Sequence, residues 1–178
     1  MKVPYISAAV LLALLFAVSP AGAQEDRRDT QLAEKVSSAI THYTRYTVFD
    51  ELGGTVDQGV VTLTGKVTMP YKRDDLEKRV AKIDGVKTVK NEIAVLPVSI
   101  YDDQLRSRIA RAIYGNPSFW NYANQANPPI HIIVENGRVT LTGAVFSNVE
   151  KVLAASLAQL PGVMSVKNEL KTDMKTDR

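Results

Sequence analysis

The 178-residue sequence contains no cysteine. That absence excludes a disulfide framework and a thiolate nucleophile, and it removes the residue that carries the acyl chains of a lipoprotein. Histidine is scarce as well. The chain has two, too few for a metal centre unless carboxylates converge on them. Neither charge sign dominates: 22 basic against 19 acidic residues leave a net charge of +3, which gives no support to a nucleic-acid partner. No apolar run reaches the ~20 residues needed to cross a bilayer. The longest, Ala8 to Val18, follows Lys2 and ends in Ser19-Pro20-Ala21-Gly22-Ala23, the three-part layout of a secretory signal peptide. We therefore expect residues 1–23 to be removed and the mature protein to start at Gln24 with net charge +2. Its expected location is the periplasm, as an exported protein that is not a lipoprotein.

What the sequence does have is internal repetition. Gly59-Val-Val-Thr-Leu-Thr-Gly-Lys-Val67 returns as Gly137-Arg-Val-Thr-Leu-Thr-Gly-Ala-Val145, and Gly85-Val-Lys-Thr-Val-Lys-Asn-Glu-Ile93 as Gly162-Val-Met-Ser-Val-Lys-Asn-Glu-Leu170. The stripe Leu32, Val36, Ile40 returns as Leu105, Ile109, Ile113. Matched blocks in the same order mean a duplicated unit.

Each unit reads as helix, strand, strand, helix, strand. The four-residue spacing of the stripes is helical. Ile130–Glu135 and Arg138–Val145 are β-branched runs joined by Asn136-Gly137, a dipeptide suited to the positive φ angles of a tight hairpin turn. Gln58-Gly59 plays that part in the first unit, where Gly53-Gly54 predicts a bulge in the first strand. Ser147 and Glu150 form a capping box for the helix that follows, with Leu153, Leu157 and Leu160 as its core face, matching Leu76, Val80 and Ile83. The expected fold class is α+β: two tandem αββαβ units, each a three-stranded mixed sheet with two helices on one face. The units span 29–96 and 102–171, with a linker at 97–101 and a tail at 172–178. Units this small have marginal cores, so they are expected to pack on each other or on a partner.

The Gly-x-Val-x-Leu-x-Gly hairpins (Gly59 to Gly65, Gly137 to Gly143) and the Gly-Val-x-x-Val-x-Asn blocks (Gly85 to Asn91, Gly162 to Asn168) resemble the BON domain, named for bacterial osmotically inducible and nodulation proteins. Behind a signal peptide, two copies are similar to periplasmic dual-BON proteins. The resemblance implies a role in the envelope or in osmotic stress. It also implies binding to phospholipid surfaces or other envelope components, without catalysis. Unit two departs from the shorter pattern through an insertion, Asn116 to Pro129.

No catalytic, cofactor or metal site emerges. His42 and His131 are not repeated and stand in no triad spacing, so both read as polar surface or edge positions. Asp74-Asp75 and Asp102-Asp103 read as helix-start residues suited to the helix dipole rather than as acid/base pairs. Asn91 and Asn168 read as structural amides that satisfy nearby backbone. The hairpin glycines lack the Lys-Ser/Thr of a phosphate loop. The remaining candidate is the first helix of unit two with its following loop: Arg106, Arg108, Arg111, Tyr114, Phe119, Trp120 and Tyr122. Unit one carries Glu34, Ser37, Ser38 and Thr41 on the corresponding outward face. Cations with amphipathic aromatics suit an anionic phospholipid surface. Alternatively, Phe119 and Trp120 fold back over the core, and the exposed face docks an envelope protein or cell-wall polymer.

Overall fold

The computed structural model describes residues 21–172, and their side chains from residue 27 onward. The predicted signal peptide lies outside the described residues except for its last three positions, and the predicted tail except for Thr172. Among the described residues, no helix is long and apolar enough to cross a membrane.

The chain folds as two copies of one α+β unit. Unit one runs α1 (Ala21–Thr41), β1 (Glu51–Asp57), β2 (Val60–Val67), α2 (Pro70–Val80), β3 (Thr88–Asn91) and β4 (Ala94–Val95). Unit two runs α3 (Ile100–Tyr114), a 3-10 turn (Pro117–Phe119), α4 (Trp120–Ala123), β5 (Ile130–Glu135), β6 (Arg138–Gly143), α5 (Asn148–Ala158) and β7 (Ser165–Asn168). Both sheets are mixed. β1 pairs antiparallel with β2 and β3 joins β2 in parallel; β5, β6 and β7 repeat the pattern. Unit one adds the two-residue β4 alongside β2, where unit two has an isolated bridge from Ala144 to Lys171. The first sheet thus has four strands where three were expected. Its last strand is interrupted because Asn91 turns its amide back to the chain, its Oδ1 accepting from the Ile93 N–H at 3.2 Å.

Both hairpins close through a two-residue turn with positive φ at each position, 50° and 80° at Gln58-Gly59 and 52° and 72° at Asn136-Gly137. A carboxylate from the preceding helix holds each turn. Asp29 accepts from the N–H groups of Gln58 (2.5 Å) and Gly59 (3.1 Å), and Asp102 from those of Asn136 (2.8 Å) and Gly137 (2.9 Å). Asp102 therefore does more than begin a helix. It spans helix and hairpin, fully buried, with both oxygens satisfied. Asp74 and Asp75 depart from expectation, since the first turn of α2 holds no acidic residue. Asp75 instead accepts from the Tyr43 hydroxyl at 2.9 Å; burial, and after it this bond, pushes that phenol up to about 12.

Each core lies between a sheet and its two long helices. In unit one Leu32, Val36 and Ile40 of α1 and Leu76 and Val80 of α2 close on Val61, Leu63 and Val67. In unit two Leu105, Ile109 and Ile113 meet Ile130, Ile132, Val134, Val139 and Leu141. The predicted leucine face of α5 is displaced by one position. Ala154 and Ala158 are fully buried, whereas Leu153, Leu157 and Leu160 pack only partly against the core. Volume explains the shift. Phe119 and Tyr122 of the insertion enter this core, so the helix over them presents alanine where unit one presents Leu76 and Val80. The predicted bulge at Gly53-Gly54 is absent, and β1 pairs with β2 in unbroken register from Glu51↔Lys66 to Asp57↔Val60. The capping box is present, with Ser147 accepting from the Glu150 N–H at 3.2 Å and Glu150 from the Ser147 N–H at 3.1 Å.

The units pack on each other through the segment that leads into β1. Val48 accepts a backbone hydrogen bond from Ile132 at 2.7 Å, on the outer edge of β5. Phe49 lies against the core of unit two, and Lys66 pairs with Glu135 at 2.5 Å. From the other side Asn127 donates to the Thr41 carbonyl at 2.8 Å. Residues 46–50 thus act as a strap across the second sheet.

Candidate surface-binding site

The helix α3 opens at Ser99, whose hydroxyl accepts from the Asp102 N–H at 3.2 Å. At about 100° per residue, its core stripe of Leu105, Ile109 and Ile113 leaves Ile100, Gln104, Ser107 and Arg111 on the opposite side. Arg108 lies at the margin of that exposed side, where its guanidinium donates to the Pro161 carbonyl at 3.0 Å.

The structure divides the seven predicted residues. Arg108, Arg111 and Trp120 are exposed. Arg106 is only 4% exposed; it pairs with Asp103 and donates to the Val134 carbonyl at 2.6 Å. Tyr114 donates to the Ile130 carbonyl at 2.5 Å, and burial raises its phenol well above the usual range. Phe119 and Tyr122 are fully buried. Tyr122 donates to Glu150 at 2.7 Å and accepts from the Phe146 N–H at 2.9 Å, tying the insertion to the start of α5. Arg106, Phe119 and Tyr122 are buried and Tyr114 is half-buried with its hydroxyl engaged, so these four build the fold. The inward-folding alternative holds for Phe119 but not for Trp120, which is 60% exposed.

Three apolar residues join the site that the sequence reading passed over. Val98, Ile100 and Tyr101 are 98%, 73% and 81% exposed. Their signal was present: Ile100 lies about 180° from Ile109 on a helical wheel, off the core stripe. The exposed side of α3 therefore carries apolar side chains at its N-terminal end and two arginines further along. Ile100 and Arg111 lie within about 20° of each other around the axis and about 16 Å apart along it. Both Asn91 and Asn168 are structural, donating to the carbonyls of Arg73 (3.1 Å) and Lys151 (2.8 Å) respectively.

This geometry, repeated hairpins and repeated asparagine turns on one scaffold, agrees with a family comparison. The model of the BON domain matches residues 28–97 and again 101–174. The chain belongs to the BON domain family. Two tandem BON units account for most of its length, and BON domains are generally non-enzymatic. No match is found among curated proteins. Among solved structures, the chain is similar to CdsD, a structural protein of the type III secretion system of Chlamydia trachomatis. Identity is 13% and the TM-score 0.29, with 79% of this chain and 91% of that one covered. The C-terminal domain of CdsD gives 14% identity and a TM-score of 0.25, covering 75% of this chain and 95% of that one.

The histidines stand apart from the exposed face. His42 is exposed at the end of α1, beside the Ser38 carbonyl. His131 sits in the seam between the BON units, its Nε2 3.3 Å from the Tyr46 hydroxyl and the two rings 5.2 Å apart. Its Nδ1 is buried without a hydrogen-bond partner: backbone groups of Thr47 and Asp50 favour a proton there, but none reaches hydrogen-bonding geometry. Burial wins, and the ring is held toward its neutral form. Burial and the charges of Asp50 and Glu51 likewise keep the Tyr46 phenol protonated. Tyr46 and His131 therefore form a neutral contact with no activated nucleophile. Among the described residues, no group of three or more His, Cys, Asp or Glu is placed to hold a metal ion.

A pH dependence follows. The folded-state pKa of His131 lies below its unfolded value of about 6.5, so in that interval the unfolded chain binds more protons. Stability is complete above this pH and declines as the pH falls through it. His131→Gln should flatten the decline between pH 7 and 5 in urea titrations; an unaltered slope would remove His131 from this role.

Proposed function

We propose that this dual-BON protein binds anionic phospholipid surfaces of the bacterial envelope through the exposed side of α3, and that it supports envelope integrity from the periplasmic side without catalysing a reaction. The observation that carries this reading is the composite face itself. Val98, Ile100 and Tyr101 stand exposed at one end of the helix and Arg108 and Arg111 further along. Isolated exposed apolar side chains need no explanation, but three within four residues, with basic residues further along the same helix, suit an interfacial helix that inserts apolar groups beneath headgroups and pairs cations with phosphates. Trp120 follows on the same unit, and its amphipathic ring suits the headgroup layer. The corresponding helix of unit one has Lys35 in the place of Arg108 but Ser38 in that of Arg111, and Arg27 and Arg28 in those of Ile100 and Tyr101; it lacks the exposed apolar residues, which favours unit two for this role.

Each basic residue near an anionic leaflet contributes ~1 kcal/mol, so losing two weakens binding about thirtyfold. In co-sedimentation with vesicles of phosphatidylglycerol and phosphatidylethanolamine at low salt, Arg108→Glu with Arg111→Glu should lower affinity by at least that factor. Ile100→Ser with Tyr101→Ser should weaken the salt-resistant part. Undiminished binding by the double charge reversal, or no vesicle binding by the unaltered protein, would sink the proposal.

A further inference from the structure

We infer that the outer edge of β1 takes an extended segment of a partner protein as an added strand, with an aromatic residue near its centre and basic residues on either side. The inference is independent of lipid binding and concerns the other unit.

The two-residue turns make Asp57–Val60 and Glu135–Arg138 the hydrogen-bonded closing pairs of their hairpins. Alternate residues, Leu52, Gly54 and Val56 in β1 and Ile130, Ile132 and Val134 in β5, therefore point N–H and C=O away from the hairpin. In unit two this row is covered at three places. The Tyr114 hydroxyl donates to the Ile130 carbonyl at 2.5 Å, the Ile132 N–H to the Val48 carbonyl at 2.7 Å, and Arg106 to the Val134 carbonyl at 2.6 Å. In unit one, Thr41 stands where Tyr114 does and Ala33 where Arg106 does. Among the described residues, no hydrogen bond reaches the outward groups of Gly54 or Val56. β1 also lacks the lysine, proline or bulge with which sheet edges are blunted.

Gly54 adds to the argument. It has no positive φ, and a Cβ there would meet nothing nearer than 3.6 Å. The backbone thus does not demand glycine, and its effect is to strip side chains from the exposed stretch of the edge.

The occupied edge of unit two shows what chemistry fits. There the ring of Tyr46 lies on His131, whose place in β1 is taken by Gly53. An aromatic residue laid over a bare strand glycine restores the missing packing, and added strands are held by main-chain hydrogen bonds with side-chain pockets setting preference. Charge argues against a second copy of this chain. Two β1 strands paired antiparallel about Gly54 would set Glu51 against Asp57 twice, and like charges directly opposite destabilise. A segment with basic ends has the complementary pattern, more strongly at the exposed Asp57 than at the half-buried Glu51, which also faces Lys66 and Lys167.

The test uses the full-length protein, isotope-labelled, and the synthetic peptide acetyl-Lys-Thr-Tyr-Val-Thr-Lys-amide. Saturable amide shifts are expected at Gly54 and Val56, with exchange of those amides slowed about tenfold or more at saturation. Gly54→Pro, which removes one outward donor, should weaken binding about tenfold, while Gly54→Ala stays near the unaltered protein. Shifts confined to β5 or α3, or a folded Gly54→Pro that binds as before, would overturn the inference. Should Gly54→Pro fail to fold, exchange in the unaltered protein decides: protection at Gly54 and Val56 supports the added strand, and no protection refutes it. Peptide-free self-association that protects β1 would refute the choice of occupant.

Discussion

Asp50→Ala is expected to lower unfolding stability by about 3–5 kcal/mol, the usual cost of breaking a buried ion pair from one side. Asp50 is fully buried, and it accepts from five donors. Its Oδ2 takes the Thr47 N–H (3.0 Å), the Thr47 hydroxyl (2.7 Å) and the Lys72 ammonium (2.6 Å). Its Oδ1 takes the Thr68 N–H (2.9 Å) and hydroxyl (3.0 Å). One carboxylate thus joins the strap, the end of β2 and the first turns of α2. Alanine would leave the Lys72 ammonium, itself only 5% exposed, with Thr68 as its remaining partner at 2.9 Å. The loss comes mostly from that stranded charge, so Asp50→Ala with Lys72→Met should recover a substantial part of it. Urea denaturation of the two variants checks the pair. Equal losses in single and double variant would mean that the threonine contacts, not the ammonium, account for the effect.

Gly143→Ala is expected to cost roughly 2–4 kcal/mol. The residue has φ of +104°, a region L-residues avoid, and an added Cβ would run into the Pro129 carbonyl oxygen. Gly65 stands at the same place in unit one, with φ of +119° and the Glu51 carbonyl oxygen in the way. The recurring Thr-Gly at the end of the second hairpin strand therefore has a steric cause: the neighbouring strand's backbone occupies the space a side chain would need. Thermal unfolding of Gly65→Ala and Gly143→Ala tests this, and a melting temperature unchanged in both would contradict it.

The stripes of α1, α2 and α3, the hairpin turns and the capping box were legible because each is set by residues within a few positions of one another, whereas the buried face of α5 was set by the volume of Phe119 and Tyr122. Asn136-Gly137 favours its own turn, and Ser147 and Glu150 sit one helical turn apart. The repeat presents each of these patterns twice, in the same order along the chain. Asp102 was half legible. Its place at a helix start follows from spacing, but its grip on the Asn136-Gly137 turn joins residues more than thirty positions apart. The face of α3 was readable only where the wheel is unambiguous. Arg111 and Ile100 lie opposite the core stripe. Arg106 lies about 60° from the centre of that stripe and Tyr114 about 140°, yet the neighbouring strand offers each an otherwise unpaired carbonyl and draws both in.

By itself, the order of residues determined that one α+β unit occurs twice, where its turns fall and which glycines it needs, because those features rest on local backbone preference and hydrophobic period. Tertiary structure alone decided that the strap of unit one closes the edge of unit two while, among the described residues, β1 stays open, and that Phe119 and Tyr122 point inward while Trp120 points out. Those outcomes depend on which carbonyls, cavities and strand edges lie within reach after folding, and no local pattern encodes that distance.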